Sequence, residues 1–160
     1  MIKITGIIIL SVGISMYGSI LSLTVKERHI IICELLSLIK AIKNGIKYGS
    51  VPLEKIYNST ALPNLEKYGF LNAIKDGTLP CSAVNTHLQM LSHEDRDNLC
   101  EFFQQIGKSS STDAEITLCD RYIILFEQRE KDSLKENLEK SVLYKKLGIV
   151  AALVAAIIFL

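Results

Sequence analysis

Residues that interrupt an α-helix are scarce in this chain, which has three prolines and nine glycines among its 160 residues. Neither type occurs in the stretches 19–44 and 108–147. Proline lacks the N–H that a helix interior needs, and glycine there costs about 1 kcal/mol relative to alanine, so their absence permits long helices. Apolar and polar residues also do not alternate with the period of two that half-buried β-strands show. The sequence therefore predicts an all-α fold.

Paired metal-ligating residues and the common catalytic sequences are missing as well. No C-x-x-C pair, P-loop, nucleophile elbow or H-E-x-x-H sequence occurs, and the three histidines are isolated from one another. We therefore expect no cofactor, no metal and no enzymatic activity. The cysteines are too widely separated to indicate a zinc site, and we interpret them as buried reduced thiols of a cytoplasmic domain. They are Cys33, Cys81, Cys100 and Cys119.

Charge is absent from both ends of the chain. Lys3 and Lys26 enclose 22 uncharged residues, and the last 14 residues, after Lys146, are uncharged too. At 1.5 Å per residue the first segment reaches about 33 Å, enough to cross a hydrocarbon core of about 30 Å. A cleaved signal peptide is the alternative for the first segment, and a buried helix for the second. We predict a transmembrane helix at 1–25, a soluble helical domain at 26–146 and a short transmembrane segment at 147–160.

The distribution of basic residues predicts which side of the membrane the middle region faces. Only Lys3 precedes the first apolar segment, whereas Lys26 and Arg28 follow it and three lysines at 140–146 precede the second. Basic residues that flank a transmembrane segment tend to stay on the cytoplasmic side. We therefore expect the middle region to be a cytoplasmic domain, and the two apolar segments at its ends to contact membrane lipid. Without Lys3 the 18 basic residues become 17, equal to the 17 acidic ones, so nucleic-acid binding is not expected.

Two apolar seams follow a helical period in the middle region. Their spacings of three and four residues are typical of helices packed along a heptad seam. The first seam consists of Ile32, Leu35, Ile39, Ile42 and Ile46. The second follows the capping sequence at 112–115 and consists of Ile116, Cys119, Ile123 and Phe126, thinning to Leu134, Leu138 and Val142.

These seams predict a helical bundle built on two long antiparallel helices. One helix runs out of the first membrane segment to Lys47, and the other returns from Thr112 into the second membrane segment. Prolines and glycines divide the region between them into short helices. Because both ends of the chain return to the membrane, we expect these short helices at the distal tip of the bundle. Their predicted bounds are 52–60, 63–75, 81–91 and 93–106.

Two sets of charged residues are candidates for partner binding. Both have simpler explanations, because carboxylates near a helix start stabilise its dipole and a row of lysines can be a solvated face. Acid–base catalysis by the carboxylates is a further alternative. The acidic set, on the predicted helix 93–106, comprises Glu94, Asp97 and Glu101. Asp95 belongs to the same predicted exposed cluster and, with Ser92, is expected to cap this helix. The basic stripe, beside the first apolar seam, comprises Lys40, Lys43 and Lys47.

Three short segments resemble one protein family. The segment 45–53, GIKYGSVPL, looks like the tyrosine–glycine turn and proline-started helix of the stage III sporulation protein AB family. The segment 103–109, FQQIGKS, followed by Asp113, is similar to that family's phenylalanine/leucine–glycine–serine–aspartate loop. The segment 144–148, YKKLG, is similar to its entry into the closing apolar segment. Gly45 departs from the glutamate–isoleucine pair usual before the turn, and a tryptophan typical of the middle helices is missing.

The resemblance implies a structural role in the sporulation channel complex that joins the mother cell to the engulfed forespore. The family's soluble domain is similar to the cytoplasmic domain of the type II secretion platform protein F, which meets an ATPase. The expected partners are therefore other stage III sporulation proteins, above all the AA ATPase, at the mother-cell membrane facing the forespore. A membrane-tethered regulatory or adaptor module unrelated to sporulation is the alternative.

Overall fold

Helix is the regular structure throughout the part of the chain that the computed structural model describes, residues 2–49, 51–109 and 111–159. The prediction of an all-α fold is thereby confirmed. The helices are α1 (Ile2–Gly49), α2 (Leu53–Ser59), α3 (Pro63–Lys67), α4 (Phe70–Lys75), α5 (Pro80–His87), α6 (His93–Gln105) and α7 (Thr112–Phe159).

The two long helices run without interruption, as the sequence predicts. α1 continues to Gly49, two residues past the predicted end at Lys47, and α7 begins at Thr112. Most side chains of the predicted membrane segments, 1–25 and 147–160, lie outside the described residues. In the part of the chain that the structure describes, none of the helices contains an apolar run of the length that a membrane crossing needs. The two membrane segments remain predictions.

The predicted helix 63–75 is two helices, because the chain turns at Gly69. Gly69 has a φ of +82°, a left-handed conformation that residues with a Cβ adopt rarely. A Cβ there would also lie 3.1 Å from Nδ1 of His87. The same ring nitrogen is 2.9 Å from the carbonyl oxygen of Tyr68. Glycine thus makes the turn and leaves room for the imidazole of α5.

The chain divides into two compact units, each described by itself. The central unit comprises residues 30–131, and the end unit comprises residues 1–29 together with 132–160. One apolar cluster forms the core of the central unit, and α1 supplies its predicted seam to that cluster. The fully buried seam residues are Ile32, Leu35, Ile39 and Ile42, and Ile46 is partly buried. From α7 the core receives Cys119, Tyr122, Ile123 and Phe126.

Within the central unit, polar contacts join the short helices to α1 and α7, and their predicted position at a distal tip stays a prediction. The carboxylate of Glu34 on α1 accepts hydrogen bonds from the backbone N–H groups of Asn64, at 3.1 Å, and Leu65, at 2.9 Å. Asp95 on α6 lies 3.0 Å from Nε of Arg129 on α7. The apolar faces of such short helices are covered by packing against the long helices.

In the end unit, polar side chains join α1 to α7. Nδ1 of His29 lies 2.8 Å from Oγ of Ser133, and Arg28 forms a 3.0 Å ion pair with Glu136. The helical period turns other residues of α7 away from the row that holds Ser133. The second apolar seam was predicted to continue through Leu134, Leu138 and Val142. That prediction is wrong, because these three side chains are 44–65% exposed.

The cysteines also differ from the sequence interpretation. Cys81, at the start of α5, forms a disulfide with Cys100 on α6, and their Cα atoms are 4.6 Å apart. Cys33 and Cys119 are free thiols. Because α5 and α6 pack side by side, residues separated by 19 positions meet. Spacing along the chain does not reveal such a pair, since it depends on the register of two helices.

Candidate interaction surface

A surface groove lies where α1 ends and α7 begins, within the central unit. Its volume is about 240 Å³. Its walls come from the end of α1, the start of α2, the α6–α7 turn and the first turn of α7. We call it the turn groove. The residues that line it are Ile46, Val51, Pro52, Leu53, Ile106, Gly107, Thr112 and Glu115.

Glycine and proline bring these walls together. The backbone N–H of Val51 donates to the carbonyl oxygen of Gly45 at 3.2 Å, which folds the chain back after α1. A Cβ on Gly45 would meet the δ-methyl of Ile56, whose side chain would have to shift, so glycine favours the close approach of α2 to α1. Pro52, with its fixed φ, sits at the start of α2. Gly107 has a φ of +78° and turns the chain from α6 toward α7.

The groove combines apolar walls with one carboxylate. Ile46, Leu53 and Val51 are partly buried, so part of their apolar surface faces the groove. Glu115 lies at the rim of the groove, and the negative charge of its carboxylate also acts on a residue of the core, Cys119. Burial, reinforced by the carboxylates of Glu115 and Asp120, raises the pKa of the Cys119 thiol to about 11. An apolar cleft beside negative charge suits an apolar side chain that has basic neighbours.

The basic stripe is largely engaged within the central unit. Nζ of Lys40 lies 2.8 Å from Glu127, and Nζ of Lys43 lies 2.5 Å from Asp120. The ammonium group of Lys40 holds the pKa of the Glu127 carboxyl below its usual range. Lys47, the third member, is exposed, and its Nζ stands 5.1 Å from the centre of a tyrosine ring, Tyr48. Two of the three lysines of the predicted basic stripe thus form ion pairs with acidic residues of α7.

The acidic set lies on α6, as predicted, and each carboxylate has a neighbour. Glu94 forms an ion pair with Arg129 of α7. Asp97, which is 64% exposed, lies 2.6 Å from Nδ1 of His93. Glu101 accepts a 2.9 Å hydrogen bond from the side-chain amide of the residue one turn later, Gln105. Of the three, Asp97 has its carboxylate turned to solvent without an arginine or lysine beside it in the described part of the chain.

Asp95, which the sequence predicts as an exposed residue of the same cluster, is instead a buried carboxylate. Asp95 is only 1% exposed and approaches Arg129. Its carboxylate accepts a 2.5 Å hydrogen bond from the Ser92 hydroxyl, and Ser92 Oγ accepts from the Asp95 backbone N–H at 3.1 Å. The serine–aspartate spacing predicts this cap, but the arginine lies on another helix. Among the described residues, no group of three metal-ligating side chains lies together.

Comparison with known proteins identifies the family. The family model for stage III sporulation protein AB matches residues 3–160 of the chain. This chain belongs to the stage III sporulation protein AB family. No curated protein and no solved structure matches it. A sporulation-related role follows from the family. Two of the segments that carry the resemblance, 45–53 and 103–109, both contribute to the turn groove of this family member.

Proposed function

We propose that this chain is a non-enzymatic structural component of the sporulation channel complex, and that it docks a cytoplasmic ATPase of the secretion type. The observation that carries the proposal is the turn groove. Two segments far apart in sequence, 45–53 and 103–109, both resemble motifs of the family and meet in one cleft. The two segments also shape an open surface, which a purely structural role in the core does not require.

The membrane arrangement is part of the same proposal. The uncharged segments at 1–25 and 147–160 would hold the chain in the mother-cell membrane that faces the forespore. The excess of lysine and arginine on the inner sides of both segments supports a cytoplasmic position for the domain 26–146. The turn groove is formed by the residues farthest along α1 and α7 from these two segments, where a partner arriving from the cytoplasm has access.

The orientation is testable by labelling in intact cells. Lys108 is exposed in the α6–α7 turn. In a Lys108→Cys variant, a membrane-impermeant maleimide should label the chain no more than it labels the unchanged chain. Permeabilising the cells should then expose the new thiol. Extra labelling of the variant in intact cells would contradict the cytoplasmic orientation and, with it, the ATPase contact.

The occupant we propose for the turn groove is a segment of the ATPase that carries an apolar side chain beside basic ones. The apolar walls supply the anchor, and Glu115 with the exposed Asp113 and Glu54 supplies the negative charge. Interfaces of this kind gain most of their affinity from one or two anchors in a small cleft, while the surrounding charges guide the approach.

A matched pair of threonine variants tests this docking site. Thr112 lines the turn groove and is exposed, whereas Thr117, also exposed on α7, does not line it. Thr112→Trp should fill the cleft and weaken co-purification of the full chain with the AA ATPase by about tenfold or more, a loss of at least about 1.4 kcal/mol. Thr117→Trp should leave co-purification unchanged. Equal binding by both variants would exclude the groove.

Loss of the gene tests the sporulation role separately. Deletion in a spore-forming host should arrest development after engulfment, and the full-length gene should restore it. The Thr112→Trp allele should fail to restore sporulation where Thr117→Trp succeeds. Normal spores from the deletion strain would contradict the channel role.

A further inference from the structure

The four cysteines fall into two chemically different pairs. Cys81 and Cys100 are bonded across α5 and α6, and Cys33 and Cys119 are free thiols of the central unit. Cys81 is partly exposed, whereas Cys100 is only 8% exposed. Cys81 lines a second groove of about 240 Å³, together with Leu79, Pro80, Phe103, Gln104 and Lys108. A small reactant can therefore reach this disulfide from one side.

The free thiols are protected from oxidation by their surroundings. Burial, reinforced by the Glu130 carboxylate, raises the pKa of Cys33 to about 11. Burial and the Glu115 carboxylate do the same for Cys119, again to about 11. Because the thiolate is the reactive form, both side chains are almost fully protonated and inert near neutral pH.

The bonded pair has the opposite surroundings. Cys81 follows Pro80 in the first turn of α5, where the unpaired N–H groups of a helix favour a negative charge. The amide nitrogen of Asn85 lies 3.7 Å from the Cys81 sulfur and 3.8 Å from the Cys100 sulfur. Lys108 supplies a positive charge to the same groove. These groups stabilise a thiolate, so they ease both the cleavage and the formation of the bond.

We propose that Cys81 and Cys100 form a reversible dithiol–disulfide site, which a low-molecular-weight thiol and its disulfide interconvert. In the reducing direction a small thiolate enters the groove, attacks the sulfur of Cys81, forms a mixed disulfide with it, and displaces Cys100 as a thiolate that takes up a proton. A second small thiolate attacks the small-molecule sulfur of that mixed disulfide and releases Cys81. Two small thiols are thereby oxidised to one small disulfide while the protein disulfide is reduced to two thiols.

The state of this site governs how firmly α5 is held to α6. The disulfide ties the two helices together across 19 positions of sequence. In the reduced form α5 keeps its packing, chiefly Ala83 and Val84 in the core, the hydrogen bond of His87 to Tyr68 and the weak contact of Asn85 with the Cys100 sulfur, but no covalent link to α6. The position of α5, and with it the surface around the exposed Leu79, then depends on the redox state of the surrounding thiols.

The test is a redox titration of the purified full chain. The protein is equilibrated in mixtures of reduced and oxidised glutathione, quenched with acid, and labelled with a maleimide that adds a large mass to each free thiol. We expect one transition, reversible from both directions, between chains with two labels and chains with four under denaturing conditions. It should be complete within the glutathione mixtures that mimic a reducing cytosol. A bond that persists in those mixtures, or never forms in oxidising ones, would overturn the proposal.

Variants show which cysteines undergo the redox transition, and thermal unfolding shows how the transition affects stability. A chain with Cys33→Ser and Cys119→Ser should keep the transition, and Cys81→Ser should abolish it. Reduction of the unchanged chain should lower its unfolding midpoint by roughly 10 °C, and reoxidation should restore it, a measurement that needs no variant to fold. Thermal unfolding that is identical in the two redox states would contradict the structural consequence of the site.

Discussion

The same two helices meet in both units of this protein, but through different chemistry. In the central unit α1 presents isoleucine and leucine to Phe126 and its neighbours on α7, and these side chains are completely buried. In the end unit the facing positions hold Ser22, His29 and Ser133, with an ion pair between Arg28 and Glu136. Spacing alone does not distinguish the two regions, because both follow the helical period.

This difference indicates two roles: apolar burial stabilises the fold, and polar pairs determine the register of α1 against α7. Apolar burial contributes roughly 25 cal/mol per Å² removed from water and has no direction. A polar pair contributes about 1 kcal/mol net but requires one geometry, and leaving one partner buried alone is costly. We therefore expect stability to reside mainly in the central unit, and the polar contacts of the end unit to fix how α1 and α7 pair there.

The largest effect should come from truncating the apolar seam. Ile39 is fully buried, so Ile39→Ala should lower the free energy of unfolding by about 2–5 kcal/mol. The adjacent variant Lys40→Ala is the control, because it removes a solvent-screened ion pair with Glu127 and should shift the unfolding midpoint far less than Ile39→Ala. Thermal unfolding of the full chain followed by circular dichroism measures both. Equal shifts would show that the seam is not the main source of stability.

Alkaline pH should probe the same core. Burial raises the pKa of Tyr57 and of Tyr122 to about 12, and for Tyr122 the Glu101 carboxylate adds to the effect. Because the folded state keeps both phenols neutral, stability is intact below about pH 10 and falls as the pH rises toward 12. The unfolding midpoint, measured against pH, should drop across that window. Tyr57→Phe should remove part of the drop; an unchanged curve would contradict the burial of this phenol.

A smaller effect is expected in the polar region. Ser133 is 4% exposed and contacts His29, so Ser133→Ala should cost about 1 kcal/mol. Ser37→Ala on α1 is the control, because the exposed Ser37 hydroxyl bonds only to a carbonyl of its own helix and its loss should change little. If Ser133→Ala lowered the free energy of unfolding as much as Ile39→Ala does, the contrast between the two regions would be contradicted.

The all-α class and the long helices could be predicted because they depend on local signals. The absence of proline from both helices, and of glycine from 19–44 and 108–147, permits α1 and α7. The three-and-four spacing of Ile32, Leu35 and Ile39 identifies the buried face of α1. Those signals did not reveal the break at Gly69, since a lone glycine inside a helical pattern is often tolerated, nor that the predicted helix 81–91 ends at His87. The effect of Gly69 depends on His87, which approaches from another helix.

The candidate surfaces could be predicted only in part, because they depend on contacts between helices. Lys40 and Lys43 were identified as charged, but the carboxylates that pair with them lie about 80 residues away on α7. The exposure of Leu134 was also unpredictable from spacing, since serine and histidine occupy the facing row instead. The turn groove requires two motifs to be adjacent in space, and the sequence of a single chain does not show that adjacency.

The smallest effect on stability should come from Asp97, which is the sharpest test between the two candidate docking surfaces. Asp97 is 64% exposed, so Asp97→Lys should change the free energy of unfolding by less than about 0.5 kcal/mol. If the acidic set guides the ATPase, the variant should slow association several-fold at low salt. The defect should shrink above about 0.1 M salt, where charges are screened over about 10 Å.

Two comparisons make that result decisive. Asp76→Lys, an equally simple charge reversal at an exposed residue after α4, should leave association unchanged. Thr112→Trp, in the turn groove, should speed dissociation and show little dependence on salt, because it blocks an apolar cleft and changes no charge. Equal slowing by both lysine variants would indicate a general charge effect and exclude the acidic set. Normal association of Asp97→Lys at low salt would leave the groove as the docking surface without electrostatic guidance from α6.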